Sequence, residues 1–244
     1  MTPLLALHGF TGSPRSWDFL PARKVLPRVV PALVGHSGSD ASSEVTSFEG
    51  EVDRLASLTP ECGVHVVGYS LGARLALGLA LRHPTRVTQL TLLSCHPGLH
   101  TPAERAARRA SDAAWCDILL RRGVSAFVDA WQAQSLWDSQ ALLPDAVRQL
   151  RQSERLSHTA QGLALSLRVT GLGEMPDYGA RLAEIQVPVT LLAGASDAKF
   201  SALAAHMAEQ LPQAALEIVA GAGHDLLLER PEHITEVIRR GNPT

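Results

Sequence analysis

The chain has 244 residues, 45% of them hydrophobic and 19% charged, and its 22 Lys plus Arg against 24 Asp plus Glu give a formal charge of −2. That apolar content excludes general disorder, and the lack of a basic excess argues against nucleic-acid binding. The length suits one or two domains, no apolar run is long enough to span a bilayer, and Met1-Thr2-Pro3-Leu4 lacks the basic start of a signal peptide.

The elements alternate. Residues 4–7 read as a short apolar strand running into His8-Gly9-Phe10-Thr11-Gly12. Residues 28–31 form a second strand, followed by a Gly/Ser-rich loop over 34–43. Residues 47–58 have helical spacing, with Phe48, Val52, Leu55 and Leu58 on one face. The β-branched run 63–68 suits a buried parallel strand. Residues 71–82, rich in Leu and Ala, predict a helix buried on most sides, and 87–93 the next strand. From about 97 to 172 the sequence is helical with no convincing strand. Alternation then resumes with a strand at 187–192, a helix at 201–211, a strand at 215–219 and a closing helix at 231–240 with Pro231 in its first turn. Such alternation means a parallel sheet with helices on both faces. Residues 1–96 and 173–244 are expected to form the core, with 97–172 inserted above it as a helical lid.

Cys62, Cys95 and Cys116 show no paired spacing. Neither a disulfide framework nor a zinc site is suggested, and the expected compartment is the reducing cytoplasm.

The stretch Gly68-Tyr69-Ser70-Leu71-Gly72 matches G-x-S-x-G between an apolar strand and a helix. That context forces a sharp turn that lifts the Ser70 hydroxyl out of the carboxyl edge of the sheet. A serine needs a base, and His224 in Ala222-Gly223-His224-Asp225 follows a predicted strand, where such a base must stand. Asp197 follows the strand before it. The order Ser70, Asp197, His224 suits a triad on this kind of fold. Asp197 also reads as the N-cap of the following helix, and Asp225 is a rival acid, although it adjoins His224 in sequence. The loop after the first strand would supply one oxyanion N–H, from Phe10, and Leu71 at the helix start the other.

These features resemble the α/β-hydrolase superfamily over nearly the whole chain, implying a mostly parallel sheet flanked by helices with a helical lid insertion. Only seven residues precede His8-Gly9, so the usual leading antiparallel strands are not expected. Gly68-Tyr69-Ser70-Leu71-Gly72-Ala73-Arg74, His96-Pro97-Gly98-Leu99, Glu104-Arg105-Ala106-Ala107-Arg108 with Ser111, Asp112 and Trp115, and Ser196-Asp197-Ala198-Lys199-Phe200 narrow the resemblance to the 2-succinyl-6-hydroxy-2,4-cyclohexadiene-1-carboxylate (SHCHC) synthases of menaquinone biosynthesis. The resemblance implies a lyase that eliminates pyruvate from an enolpyruvyl cyclohexene carboxylate, without metal or organic cofactor. It assigns Ser70, Asp197 and His224 to the triad, with Ser70 acting in proton abstraction. It also implies that Arg74, Arg108 and Arg151 hold substrate carboxylates and that Tyr69 and Trp131 line the pocket. The chain departs from the family pattern at Pro31-Ala32-Leu33-Val34-Gly35-His36-Ser37-Gly38-Ser39, and Ala73 stands where a second glycine is common.

Chemistry supports the arginines independently, since a protein of net charge −2 must bind a small anionic carboxylate through local positive charge. Arg74 lies one helical turn beyond Ser70 in an apolar helix, where an unpaired charge is costly. A snorkelling surface side chain is the alternative. Arg105 and Arg109 are alternatives to Arg108 in a helix so rich in arginine that most of its charges must be solvated. His36 and His96 read as structural, with His96 retaining some claim as a pocket wall. Trp115, Trp131 and Trp137 are core or pocket; spacing does not decide. Two rivals to the lyase remain: a carboxylic-ester or thioester hydrolase working through an acyl-serine, and a non-catalytic receptor on a hydrolase scaffold.

Overall fold

The computed structural model describes residues 2–22, 26–37, 39 and 45–241. Among these, β1 (Leu4–Leu7), β2 (Arg28–Val29), β3 (Val64–Tyr69), β4 (Val87–Leu93), β5 (Val189–Gly194) and β6 (Ala214–Val219) form one parallel sheet. Its order is β2-β1-β3-β4-β5-β6, so β1 and β3 lie side by side where successive connections change side. The helices are α1 (Phe48–Ser57), α2 (Leu71–Arg82), α3 (Pro102–Gln132), α4 (Asp145–Leu156), α5 (Ala160–Thr170), α6 (Ala198–Gln210), α7 (Leu226–Glu229) and α8 (Pro231–Gly241).

Period-two alternation splits each central strand between two cores. Leu5, Leu7, Val64 and Val66 pack against Phe48, Val52 and Leu55 of α1, Leu71 and Leu75 of α2, and Met207 of α6. Leu4, Ala6, Val67 and Tyr69 face the other way, onto Trp17 and onto Ile234, Val237 and Ile238 of α8. Between β4 and β5 the regular elements of the described residues are all helical. There Cys116, Leu119, Phe127 and Val128 of α3 meet Leu163, Ala164 and Leu167 of α5 in a separate small core. The long α3 changes direction at Gly123, whose φ is 82°.

Most elements match their expected bounds, and the differences have local causes. The second strand, expected through residue 31, ends at Val29, since Pro31 has no N–H to extend a ladder. α6 begins at Ala198 rather than 201 because the Asp197 carboxylate accepts the Phe200 N–H at 3.2 Å and caps the helix early. The short α7 is not foreseen in the sequence; Asp225 caps it in the same way. Of the loop expected over 34–43, residues 38 and 40–43 lie outside the described residues.

The β3–α2 junction is the tightest point of the sheet. A Cβ on Gly72 would lie 2.2 Å from the Leu7 carbonyl oxygen, and one on Gly68 2.3 Å from the Gly72 carbonyl oxygen. Both obstacles are backbone, so neither can step aside. Gly72→Ala is expected to destabilise the fold by roughly 3 kcal/mol or more, read as a lower urea midpoint. An unchanged midpoint would mean that α2 does not sit against β1 as described.

Candidate active site

Ser70 joins β3 to α2 with φ 52° and ψ −106°, a conformation that L residues adopt only when the surroundings enforce it. Its N–H donates to the Leu93 carbonyl at 2.9 Å, which ties the turn to β4. The turn projects the hydroxyl to 3.1 Å from His224 Nε2, while His224 Nδ1 lies 2.7 Å from Asp197 Oδ2. A carboxylate facing Nδ1 fixes the proton on that nitrogen and leaves Nε2 free to accept the Ser70 O–H. The other oxygen of Asp197 is the α6 cap, so one carboxylate makes both contacts that the sequence posed as alternatives. Asp225 turns away: it pairs with Arg151 at 3.0 Å and caps α7.

His224 is braced from three sides. Ser94, itself at a positive φ of 49°, donates to the His224 carbonyl at 2.9 Å. Glu229 accepts the Gly223 N–H at 2.6 Å and the Ser139 hydroxyl at 3.0 Å, linking the His224 loop to the helical segment above it. Phe200 packs edge-on to the imidazole at 4.4 Å between ring centres.

A cavity of about 280 Å³ opens over Ser70 and His224, and Phe10, Tyr69 and Leu71 line it. Leu71 opens α2, so its N–H has no acceptor within the helix. The roof is aromatic: Trp115, Trp131 and Trp137 all line the cavity, with Trp131 5.3 Å from Phe10 and Trp137 5.6 Å from His224 between ring centres. The indole nitrogens of Trp131 and Trp137 are buried without a hydrogen-bond partner.

Arg74, Arg108 and Lys199 bring positive charge to the walls, and no acidic side chain lines the cavity among the described residues. Arg74 donates to the Thr170 carbonyl at 2.9 Å and has no ion-pair partner among the described residues. Burial, aided by Arg108, pulls it down to about 9, so it stays protonated at neutral pH. Arg108 is partly neutralised by Asp112 at 2.9 Å. His96 also lines the cavity; burial, with Lys199, Arg74 and Arg108 nearby, pushes it down to about 4, so it is neutral there.

The structure brings together nine of the ten sequence-derived site candidates. Ser70, His224, Phe10, Leu71, Arg74, Arg108, Tyr69 and Trp131 line the cavity, with Asp197 directly behind His224. Arg151 does not line it. Its guanidinium is buried between Glu154 at 2.5 Å and Asp225 at 3.0 Å, and two carboxylates leave it no free charge for a third. The expectation that Arg151 holds substrate is therefore corrected to a structural ion pair. Arg105 and Arg109 donate to the carbonyls of Leu99 and Gly173 and are likewise outside the lining.

Sequence reasoning missed Lys199 and Ser94 as cavity residues, and it left Trp137, which lines the cavity, undecided between core and pocket. Lys199 lies two positions after Asp197, at the start of a helix on the carboxyl edge, and that position was the available signal. It also missed Arg155, which is buried with its guanidinium 4.8 Å from the centre of the Trp137 ring and bonded to Gln132 at 3.0 Å. No group of His, Cys, Asp and Glu suited to a metal ion occurs among the described residues.

The sequence pattern of the alpha/beta hydrolase family matches residues 4–235. The SHCHC synthase of Enterobacter sp. (strain 638) is 31% identical over 232 residues, 93% of this chain and 86% of its own. A Bacillus subtilis (strain 168) protein that carries the same name provisionally is 37% identical over 241 residues, 96% of this chain and 88% of its own. Among solved structures, MenH from S. aureus superposes with a TM-score of 0.91 at 29% identity, covering 97% of this chain and 91% of that one. A thermophilic esterase from Thermogutta terrifontis, at 24% identity and a TM-score of 0.82 over 99% of this chain and 89% of that one, shares the fold alone. The chain belongs to the alpha/beta hydrolase family and, within it, to the family of the SHCHC synthases.

Proposed function

We propose that this protein is a carbon–oxygen lyase that eliminates pyruvate from an enolpyruvyl cyclohexene carboxylate to give SHCHC in menaquinone biosynthesis. The observation that carries this reading is the charge of the cavity: Arg74, Arg108 and Lys199 surround the Ser70–His224 pair with no acidic side chain among the described lining residues. A substrate bearing several carboxylates needs that local field in a chain of net charge −2. An esterase acting on a plain acyl group needs an apolar pocket instead. The match to relatives named SHCHC synthase across more than nine-tenths of the chain supports the same choice.

In this mechanism Asp197 holds the His224 imidazole, and Nε2 takes the Ser70 proton. The alkoxide-like Oγ removes a ring proton of the substrate. The electron pair of that C–H bond moves into the ring, and the C–O bond to the enolpyruvyl group breaks. The leaving enolate takes up the proton held by His224 and becomes pyruvate by tautomerisation. Ser70 regains its hydroxyl without forming an acyl intermediate. The N–H groups of Phe10 and Leu71 would stabilise charge that develops on the substrate during proton abstraction. Arg74, Arg108 and Lys199 place the reacting C–H against Oγ, where positioning supplies much of the rate.

Segment 97–172 acts in this scheme as the lid. It supplies the three tryptophans, Arg108 and the Thr170 carbonyl that holds Arg74. The described residues contain no helix long and apolar enough to cross a membrane. The free thiols of Cys62, Cys95 and Cys116 suit a reducing compartment, and the cytoplasm is the proposed place of action.

Ser70→Ala should lower pyruvate release by roughly a thousandfold or more while substrate affinity, by calorimetry, stays within about threefold. Turnover near that of the parent would remove Ser70 from the mechanism. Arg74→Ala and Lys199→Ala should each raise KM by about tenfold or more, with a smaller effect on kcat, since each removes a charge-assisted hydrogen bond. Rapid hydrolysis of simple esters with a burst and a trappable acyl-serine, and no release of pyruvate, would establish the hydrolase instead.

A further inference from the structure

Three buried histidines outside the triad grip the loop that carries Phe10. His8, His36 and His158 are at most 5% exposed, and their rings meet edge-on at 4.8 Å (His8 to His36) and 5.2 Å (His36 to His158). Each ring has one nitrogen facing a backbone carbonyl and the other facing a backbone N–H. His8 Nδ1 lies 2.8 Å from the Gly9 carbonyl oxygen, and the Leu33 N–H donates to His8 Nε2 at 3.1 Å. His36 Nδ1 lies 3.2 Å from the Val34 carbonyl oxygen, and the Thr11 N–H donates to His36 Nε2 at 3.2 Å. His158 Nε2 lies 3.1 Å from the Thr11 carbonyl oxygen, and the Ser37 N–H donates to His158 Nδ1 at 3.1 Å. A backbone N–H cannot accept and a carbonyl cannot donate, so each tautomer is fixed and each ring is neutral.

The arrangement has a direct bearing on Phe10. Three consecutive peptide groups are held by one imidazole each: Gly9–Phe10 through its carbonyl by His8, Phe10–Thr11 through its N–H by His36, and Thr11–Gly12 through its carbonyl by His158. The Gly12 N–H also donates to the Gly9 carbonyl at 3.0 Å, and Thr11 is held at a φ of 64°. A trans peptide is planar, with its C=O and N–H pointing in opposite directions. Two donors on the Gly9 carbonyl therefore fix the direction of the Phe10 N–H.

We propose that His8, His36 and His158 are positioning residues that aim the Phe10 N–H at the reacting centre by clamping the 8–12 loop to the 33–37 loop. The proposal rests on the reading of Phe10 as an oxyanion donor. It does not require any of the three to touch substrate, and none of them lines the cavity. Protonating any ring would set an N–H against an N–H and release one peptide. Burial opposes this, pushing His8 down to about 4, His36 well below its ordinary value and His158 downward as well. Besides one another, the charged groups of the described residues that act on the trio are Glu154 and Arg151 of α4. Glu154 is already engaged by Ser13, Ser16 and Arg151.

The test combines nitrogen NMR of the imidazoles with kinetics of two variants. In the parent protein the three rings should remain neutral, with the proton on Nδ1 of His8 and His36 and on Nε2 of His158, as pH falls from 7 to about 5, well below the ordinary histidine value. Titration of any of them near 6.5 would overturn the scaffold without the need for a variant. His158→Leu should speed hydrogen exchange of the Phe10 and Thr11 amides and lower kcat by about tenfold or more with KM little changed. His158→Gln keeps a donor for the Thr11 carbonyl and should recover most of that loss. Equal losses in the Leu and Gln variants would overturn the positioning role. Amides and kcat both unmoved in His158→Leu would overturn the clamp itself and leave Phe10 as a candidate donor. Amides loosened with kcat unmoved would instead sink the reading of Phe10 as the oxyanion donor.

Discussion

The site depends on the near-contact of two backbones. α2 can begin directly under β1 only because Gly72 places its Cα against the Leu7 carbonyl. That approach leaves a single residue, Ser70, to reverse the chain between β3 and α2, at a dihedral pair that most L residues avoid. The result is a hydroxyl lifted off the sheet edge and pointed at His224, with the first amides of α2 beside it. The strain has a local cost, offset by the two cores that hold β3 from both faces.

Positive charge is concentrated at the cavity in a chain that is acidic overall. Arg74 costs about as much as any buried cation, yet it sits where a substrate carboxylate can serve as its missing partner. The contrast with Arg151 is instructive. Both arginines are buried, but Arg151 already has Glu154 and Asp225, so its role is to tie α4 to the His224 loop. Burial of a charge therefore does not identify a binding residue; its internal partners and its place on the cavity wall have to be read together.

Much of this was legible in the chain. The apolar runs gave β1, β4 and α2 their bounds, because continuous Leu, Val and Ala at the right lengths admit few other structures. Ser70 and His224 were found by position relative to those runs. Asp197 appeared to have competing roles, since sequence spacing assigns one task per side chain, whereas a carboxylate has two oxygens and here uses each. Arg151 was expected at the cavity and Lys199 was overlooked for a shared reason. Which face of a charged helix meets the cavity depends on packing between segments far apart in the chain. The histidine clamp is hidden for the same reason: His158 meets the Thr11 carbonyl across 147 residues.

We propose that Ser70 and His224 act as one unit, coupled through the hydroxyl–imidazole hydrogen bond at 3.1 Å. A double-mutant cycle on pyruvate release measures that coupling directly. If the account is right, Ser70→Ala, His224→Ala and the double variant lose activity to nearly the same extent, because removing either partner already disables the unit. Losses that multiply in the double variant would show that the two side chains act independently, and the account would fail.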